Sequence, residues 1–168
     1  MTALSFELPY MDESLDYEIL YTCPLLACVR KTNPLASRKT IDLPELQYME
    51  FIFNSPRSFP SYCKYYSHLC YEHGFGPRIN KYVNSPHSLI WSIQNDNEVV
   101  LCDMFIRDIE STQIAKLEVN RQYSSLIAIW KKSNENPLIE MYVKMLKEEF
   151  QTYPPEQDMM PQWQESCS

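Results

Sequence analysis

The chain has 168 residues, of which 45% are hydrophobic, and a formal net charge of −7. That supplies a packed core for one domain or two small lobes, and it speaks against a surface that grips a phosphate backbone. Only two glycines occur, Gly74 and Gly76, which excludes the P-loop and G-x-G-x-x-G loops that need glycine for close approach to phosphate.

Ala3 to Phe6 reads as a short strand, and Glu7 to Asp16 as an acidic loop. Tyr17 to Tyr21 and Leu25 to Arg30 are strand-like, and Pro24 between them predicts a bend, because proline cannot donate to a ladder. Ile41-Asp-Leu-Pro-Glu-Leu46 predicts one helical turn capped by Asp42. Glu50 to Phe53 is a short buried strand ending at Asn54. A helix follows, with Ser58 as its N-cap and Phe59, Tyr62, Tyr66, Leu69 and Cys70 on one face. Gly74 provides a left-handed end, and Pro77 bars continuation.

Ile79 to Val83 is the next strand. Ser85-Pro86 predicts a second helix carrying Leu89, Ile90 and Ile93, and Glu98 to Cys102 a further apolar strand. Ile114 to Val119 alternates as a half-exposed strand does, and Ser124 to Trp130 reads as a buried one. Asn136-Pro137 opens the last helix, whose apolar side is read as Leu138, Tyr142, Met145, Leu146 and Phe150. Trp91 and Trp130 lie in apolar periodic segments and are assigned to the core. From Gln151 onward Pro, Gln, Glu and Ser predict a disordered tail, 151–168.

Two stretches match each other. Tyr21 to Ala36 and Ser125 to Ile139 each run from an apolar strand through a basic pair to Asn-Pro-Leu. An exit and a return about a hundred residues apart predict strands that cross between two lobes, a hinge and a cleft. From Glu50 to Cys102 the βαβαβ order predicts a small parallel sheet with right-handed crossovers. Ligands on such sheets sit at the carboxyl ends of the strands. The loops there are 54–59 and 84–88, and both lead into helix N-termini whose free N–H groups favour an anion.

The order of these elements resembles the effector-binding domain of LysR-type transcriptional regulators. Pro24-Leu-Leu-Ala-Cys-Val-Arg-Lys-Thr-Asn-Pro-Leu-Ala36 resembles that family's strand ending in H-P-L-A. Ile41-Asp-Leu-Pro-Glu-Leu46 is similar to its I-x-L-x-D-L turn, and His73-Gly-Phe-Gly-Pro77 to its G-F-x-P step. Ile129-Trp-Lys-Lys-Ser-Asn-Glu-Asn-Pro-Leu138 resembles its returning strand and closing helix. The resemblance covers roughly residues 1–150.

It implies an α/β, type 2 periplasmic-binding-protein-like fold with one complete Rossmann-like subdomain, 23–124, plus part of a second. The part would be 1–22 with the return strand and helix, 125–150. The rest of that lobe and the DNA-binding helix-turn-helix would lie outside this chain. Three positions depart from the pattern. Asp96 and Glu98 stand where the family has Gly-x-Gly, and Asp103 where a proline commonly ends the strand. Asp103 could pair with Arg107 or select a cationic or hydroxylated ligand.

The candidate effector-binding residues are therefore Asn54, Ser55, Arg57, Ser58, Ser85, His87, Ser88 and Asp103. The partners expected are a small-molecule effector, an anion among the options, and further copies in a homo-oligomer. DNA would be reached only through the absent helix-turn-helix. No cofactor or metal is expected, because the spacing of Cys63, His68, Cys70 and His73 fits no common zinc site. The cysteines read as reduced and mostly buried.

No G-x-S-x-G, H-E-x-x-H or nucleophile–base–orienter set is present, so the reading is not an enzyme. The N-terminus lacks a signal peptide, and no apolar run reaches the ~18 residues of a membrane span, which predicts a cytoplasmic location. The alternative to a sensor is a non-enzymatic interaction module that dimerises through an exposed sheet edge of an incomplete lobe.

Overall fold

The computed structural model describes residues 3–5, 13–103 and 112–152. In chain order its strands are β1 (Ala3–Ser5), β2 (Leu15–Arg30), β3 (Thr40–Ile41), β4 (Glu50–Asn54), β5 (Arg78–Val83), β6 (Glu98–Cys102) and β7 (Ile114–Lys131). The helices are α1 (Pro60–Glu72) and α2 (Leu138–Thr152). Short 3₁₀ turns occupy Pro34–Ser37, Leu43–Leu46, Pro86–Ser88 and Ile90–Ser92.

Two long strands organise everything else. β2 and β7 pair antiparallel from Leu15↔Lys131 to Arg30↔Ile114. Each was expected as two shorter strands. Pro24 does not break β2, because the register shifts between Pro24 and Leu26 and the bulge absorbs the missing donor. In β7, Arg121 takes a left-handed φ of 58° and the strand continues through it.

The strands form one sheet in the order β1-β7-β2-β6-β4-β5, with β3 parallel to β7. β4 lies between β6 and β5 and runs parallel to both, as the βαβαβ pattern predicts. The second crossover differs from expectation. It is two 3₁₀ turns, not an α-helix. From these turns Leu89, Ile90 and Ile93 still pack against the sheet, as the sequence pattern expected.

Alternation along β2, β4 and β6 sends apolar side chains to both faces, as sheets covered on two sides require. One face carries Leu25, Ala27, Phe51, Phe53, Val99 and Leu101 against Tyr66, Leu69 and Cys70 of α1. The other carries Leu26, Cys28, Ile52, Val100 and Cys102 against Leu89, Ile90 and Ile93. Gly74 ends α1 at φ 86°, as its sequence position predicts.

A third, separate core lies under α2, built from Leu20, Leu126, Ala128, Ile139 and Val143. Leu146 and Phe150 pack against it. Leu138, Tyr142 and Met145, read from sequence as core-facing, are exposed instead, together with Met141. α2 is apolar over more than half its circumference, so periodicity alone could not choose which arc faces inward. Trp130 is half-buried, but Trp91 is 59% exposed, contrary to its assignment to the core. The 3₁₀ turn at 90–92 directs Ile90 to the sheet and turns the neighbouring indole outward.

Candidate functional site

The carboxyl ends of β4 and β5 meet through the pairing Asn54↔Val83. The N–H of Ser55 donates to the carbonyl of Val83 at 2.7 Å. This brings Asn54 and Ser55 beside the segment that begins at Asn84 and Ser85. β6, hydrogen-bonded to the other side of β4, is followed directly by Asp103, which is half-buried.

The first turn of α1 is pinned over these strand ends. Cys63 Sγ donates to the carbonyl of Asn54 at 3.0 Å, and the Tyr62 hydroxyl to the carbonyl of Leu101 at 3.0 Å. Tyr62 packs against both sheet-face cores, so this turn straddles the edge of the sheet.

Ser58 is not the cap of α1. That position falls to Phe59, whose side chain makes no cap bond. The N–H groups of both Ser58 and Phe59 turn back to the carbonyl of Ser55, at 3.1 and 2.9 Å. The turn consumes the residue that the sequence offered as a cap, and Pro60 at the first helical position lacks an N–H to be capped.

On the other loop, Ser85 stands at the cap position of a 3₁₀ turn without a side-chain cap bond, and the Ser88 hydroxyl donates to the Ser85 carbonyl at 2.8 Å. Ser55 and Ser85 are half-buried, whereas Arg57, Ser58, His87 and Ser88 are exposed. The fold thus draws Asn54, Ser55, Ser85 and Asp103 towards the strand ends, and leaves the other four on the outer loops. Arg107, suggested as a partner of Asp103, lies outside the described residues.

Asn54 is distinctive. It is 2% exposed, and its Oδ1 is the one buried side-chain nitrogen or oxygen among the described residues without a hydrogen-bond partner. Buried polar atoms are normally paired, and an unpaired one costs about 1–3 kcal/mol.

Glu98 is the second buried polar group of note, and sequence reasoning marked it only as a departure from glycine. Lys81 Nζ lies 2.8 Å from its Oε1, and Asn80 Nδ2 donates to the same oxygen at 3.1 Å. The N–H groups of Gln94 and Asn95 donate to Oε2 at 2.7 and 3.0 Å. Burial pushes this carboxyl up, but Lys81 and the two N–H donors outweigh it and hold the pKa at about 2. Glu98 ties the turn before β6 to β5, a structural role that spacing along the chain does not disclose.

Cys28 and Cys102 face each other with sulfurs 3.3 Å apart. The bond to Cys28, together with burial, pushes the Cys102 thiol well above its ordinary value, and burial takes Cys70 to about 12. Such thiols stay protonated and are poor nucleophiles. No group of three or more potential metal ligands occurs among the described residues, and none of their helices is long and apolar enough to cross a membrane.

A separate groove of about 520 Å³ runs between α2 and the ends of β2 and β7, lined by Asp16, Glu18, Trp130, Glu140, Lys144 and Lys147 among others. None of the eight candidate residues lines it.

Comparison with protein families matches residues 2–151 to the LysR substrate binding domain. No curated protein sequence matches the chain. Among solved structures, CbnR, a LysR family transcriptional regulator, is similar at 17% identity and a TM-score of 0.70, covering 88% of this chain and 51% of that one. HinK, a LysR family regulator from Pseudomonas aeruginosa, gives 18% and 0.69, covering 89% and 53%. The BenM effector binding domain with its effector benzoate gives 14% and 0.73, covering 95% and 74%. The chain therefore spans about half the length of the full-length regulators it resembles. At these identities the structural likeness establishes the fold, which is the periplasmic-binding-protein-like one read from the sequence.

Proposed function

Because the chain belongs to the LysR substrate binding domain family, we propose that it is the effector-sensing part of a bacterial transcriptional regulator. A small molecule would bind in a cleft between two lobes, where the ends of β4, β5 and β6 meet the first turn of α1. The feature that carries this reading is the β2–β7 ribbon, one pair of strands that serves both the double-faced core and the core under α2. Residues 23–124 form the sensing lobe in this reading, and 1–22 with 125–150 belong to the other.

Asn54, Ser55, Ser85 and Asp103 line the cleft, with Arg57, Ser58, His87 and Ser88 at its rim. The N-terminal end of α1, at the positive end of the helix dipole, suits a carboxylate or another anion. Binding would change the lobe angle, which it can do only through unequal affinity for the two arrangements. The whole regulator would act in the cytoplasm as a homo-oligomer, bind DNA through its helix-turn-helix, and catalyse no reaction.

The test is a thermal-shift screen of small carboxylates, amino acids and aromatic acids. A hit is expected to weaken on Ser55→Ala and on Ser85→Ala. A hit indifferent to both changes places binding elsewhere.

A second reading, an interaction module, is favoured by the exposed stripe Leu138, Met141, Tyr142 and Met145 on α2 and by β1 and β5 at the edges of the sheet. Size-exclusion with light scattering decides it, because a strict monomer at high concentration removes its basis.

A further inference from the structure

We propose that a bulge in β7 is a latch that sets the angle between the two lobes, with Asp42, Tyr65 and His73 as the positioning residues that hold it. This rests on the two-lobe reading above and adds how its cleft is regulated.

The ribbon changes character along its length. None of residues 22–24 and 120–125 belongs to any of the three apolar cores. The core of the sensing lobe ends at Leu25 and Val119, and the α2 core begins at Leu20 and Leu126. The same stretch carries the ribbon's slack. Pro24 pairs with Tyr123 and Leu26 with Glu118, so four residues of β7, 119–122, lie opposite one residue of β2, Leu25. Arg121, inside this bulge, has the left-handed φ of 58°, which a residue other than glycine keeps only where its surroundings impose it.

Three side-chain bonds supply that constraint. Asn120 Nδ2 donates to Asp42 Oδ1 at 2.8 Å. Gln122 Nε2 lies 3.1 Å from Nε2 of His73, whose Nδ1 lies 2.8 Å from the Leu69 carbonyl. The carbonyl can only accept, so Nδ1 carries the proton and Nε2 accepts from the glutamine amide. The Tyr65 hydroxyl donates to the carbonyl of Tyr123 at 3.3 Å. Asp42, Tyr65 and His73 all belong to the sensing lobe, so these bonds tie the bulge to that lobe. Just beyond it the hydroxyls of Thr22 and Ser125 lie 3.1 Å apart, and the Cys23 thiol donates to the Ser124 carbonyl at 3.5 Å.

A bulge redirects its strand, because extra residues on one side bend and twist the ladder. Held, it delivers β7 to the α2 lobe in one direction; released, it lets that direction vary. α1 joins the proposed cleft to the same device. Its first turn bonds the ends of β4 and β6 through Cys63 and Tyr62, while Tyr65 and the C-cap residue His73 bond the bulge. An effector that favours another lobe angle must break the latch bonds, so loosening them raises its apparent affinity.

The test needs no effector. Residual dipolar couplings of the backbone amides report the orientation of β4 and β6 against that of 126–131 and α2. In the unchanged chain the two regions are expected to share one alignment tensor. Asn120→Ala, Tyr65→Phe and Gln122→Ala combined should lose that agreement, with a smaller tensor for the α2 region. Amide exchange at 121–125 should speed roughly three- to tenfold for each bond removed. Arg121→Asn tolerates the left-handed backbone and touches no latch bond, so it should leave both readouts unchanged.

One shared tensor in the folded triple variant overturns the latch, and so does disagreement between the two regions in the unchanged chain. Equal loosening by Arg121→Asn overturns it too, by assigning the angle to the backbone. If the triple variant does not fold, Tyr65→Phe alone, which keeps the ring, is read against the same outcomes. Each of these failures leaves effector binding to its own thermal-shift test, so the sensing reading stands or falls separately.

Discussion

The sheet around β4 and β6 and the sheet under α2 use the same two long strands but bury them differently. Around β4 and β6 both faces are covered, and Phe51, Phe53, Ile52, Leu101 and Val100 have no exposure. Under α2 the core is five buried side chains on one face, and the helix that covers them turns four more apolar side chains to solvent. The difference teaches that a shared ribbon does not imply shared stability. One region carries its own cover, while the other is held by a single helix.

The sharpest way to break this comparison is to remove one large side chain from each core. Phe53→Ala should cost about 3–5 kcal/mol and shift the whole urea transition, since a cavity opens between two covered faces. Ile139→Ala should cost about 2 kcal/mol, at the low end for such a truncation, and speed hydrogen exchange in α2 ahead of β4 and β6. Equal losses, with uniform exchange, would mean that the two cores melt as one unit.

Glu98→Gln sharpens the comparison through pH. At neutral pH the variant should lose about 1–3 kcal/mol, because Lys81 loses its charged partner in a covered site. The folded carboxyl, at about 2, lies below the ordinary value of 4.5. The stability it contributes is therefore fully present above about pH 4.5 and fades as pH falls towards 2. Denaturation curves of the two proteins should converge over that window, and a gap that persists at low pH would assign the loss to packing.

The smallest effect is expected at the edge of the α2 core. Lys147 hydrogen-bonds Glu18 across the groove, with both side chains about two-fifths exposed. Lys147→Ala should cost less than about 1 kcal/mol, and high salt should erase the difference. A larger, salt-resistant loss would show that the pair, more than the apolar contacts, holds α2 down.

How much of this was legible depends on the range of the interaction. β4, α1 and β6 were readable because runs of apolar residues, helical spacing and the Gly74 stop are local signals. The strand ends that gather Asn54, Ser55, Ser85 and Asp103 followed from strand order. The continuity of β2 and β7 was not readable, because Pro24 looks like a break until the partner strand supplies a compensating register shift, and the gap read between Val119 and Ser124 is bridged through a left-handed Arg121. The facing of α2 was hidden by apolar residues on two arcs. The Glu98 tie joins β5 to the turn before β6, and the unpaired Oδ1 of Asn54 is a property of its surroundings, so neither leaves a mark in the one-dimensional pattern.

The β2–β7 ribbon also has a consequence for how the protein folds. Cys23 and Ser124, paired across it, are 101 residues apart in the chain. Joining such distant residues before anything between them has formed costs on the order of 4 kcal/mol in loop entropy. Assembly should therefore begin within the intervening residues, with α1 condensing on β4 and β5. The ribbon would then zip shut across chain already shortened by that compaction. Pairings of this separation belong to the slow end of the folding-rate spectrum. The strands that unite the two cores would be the last part of the molecule to come together.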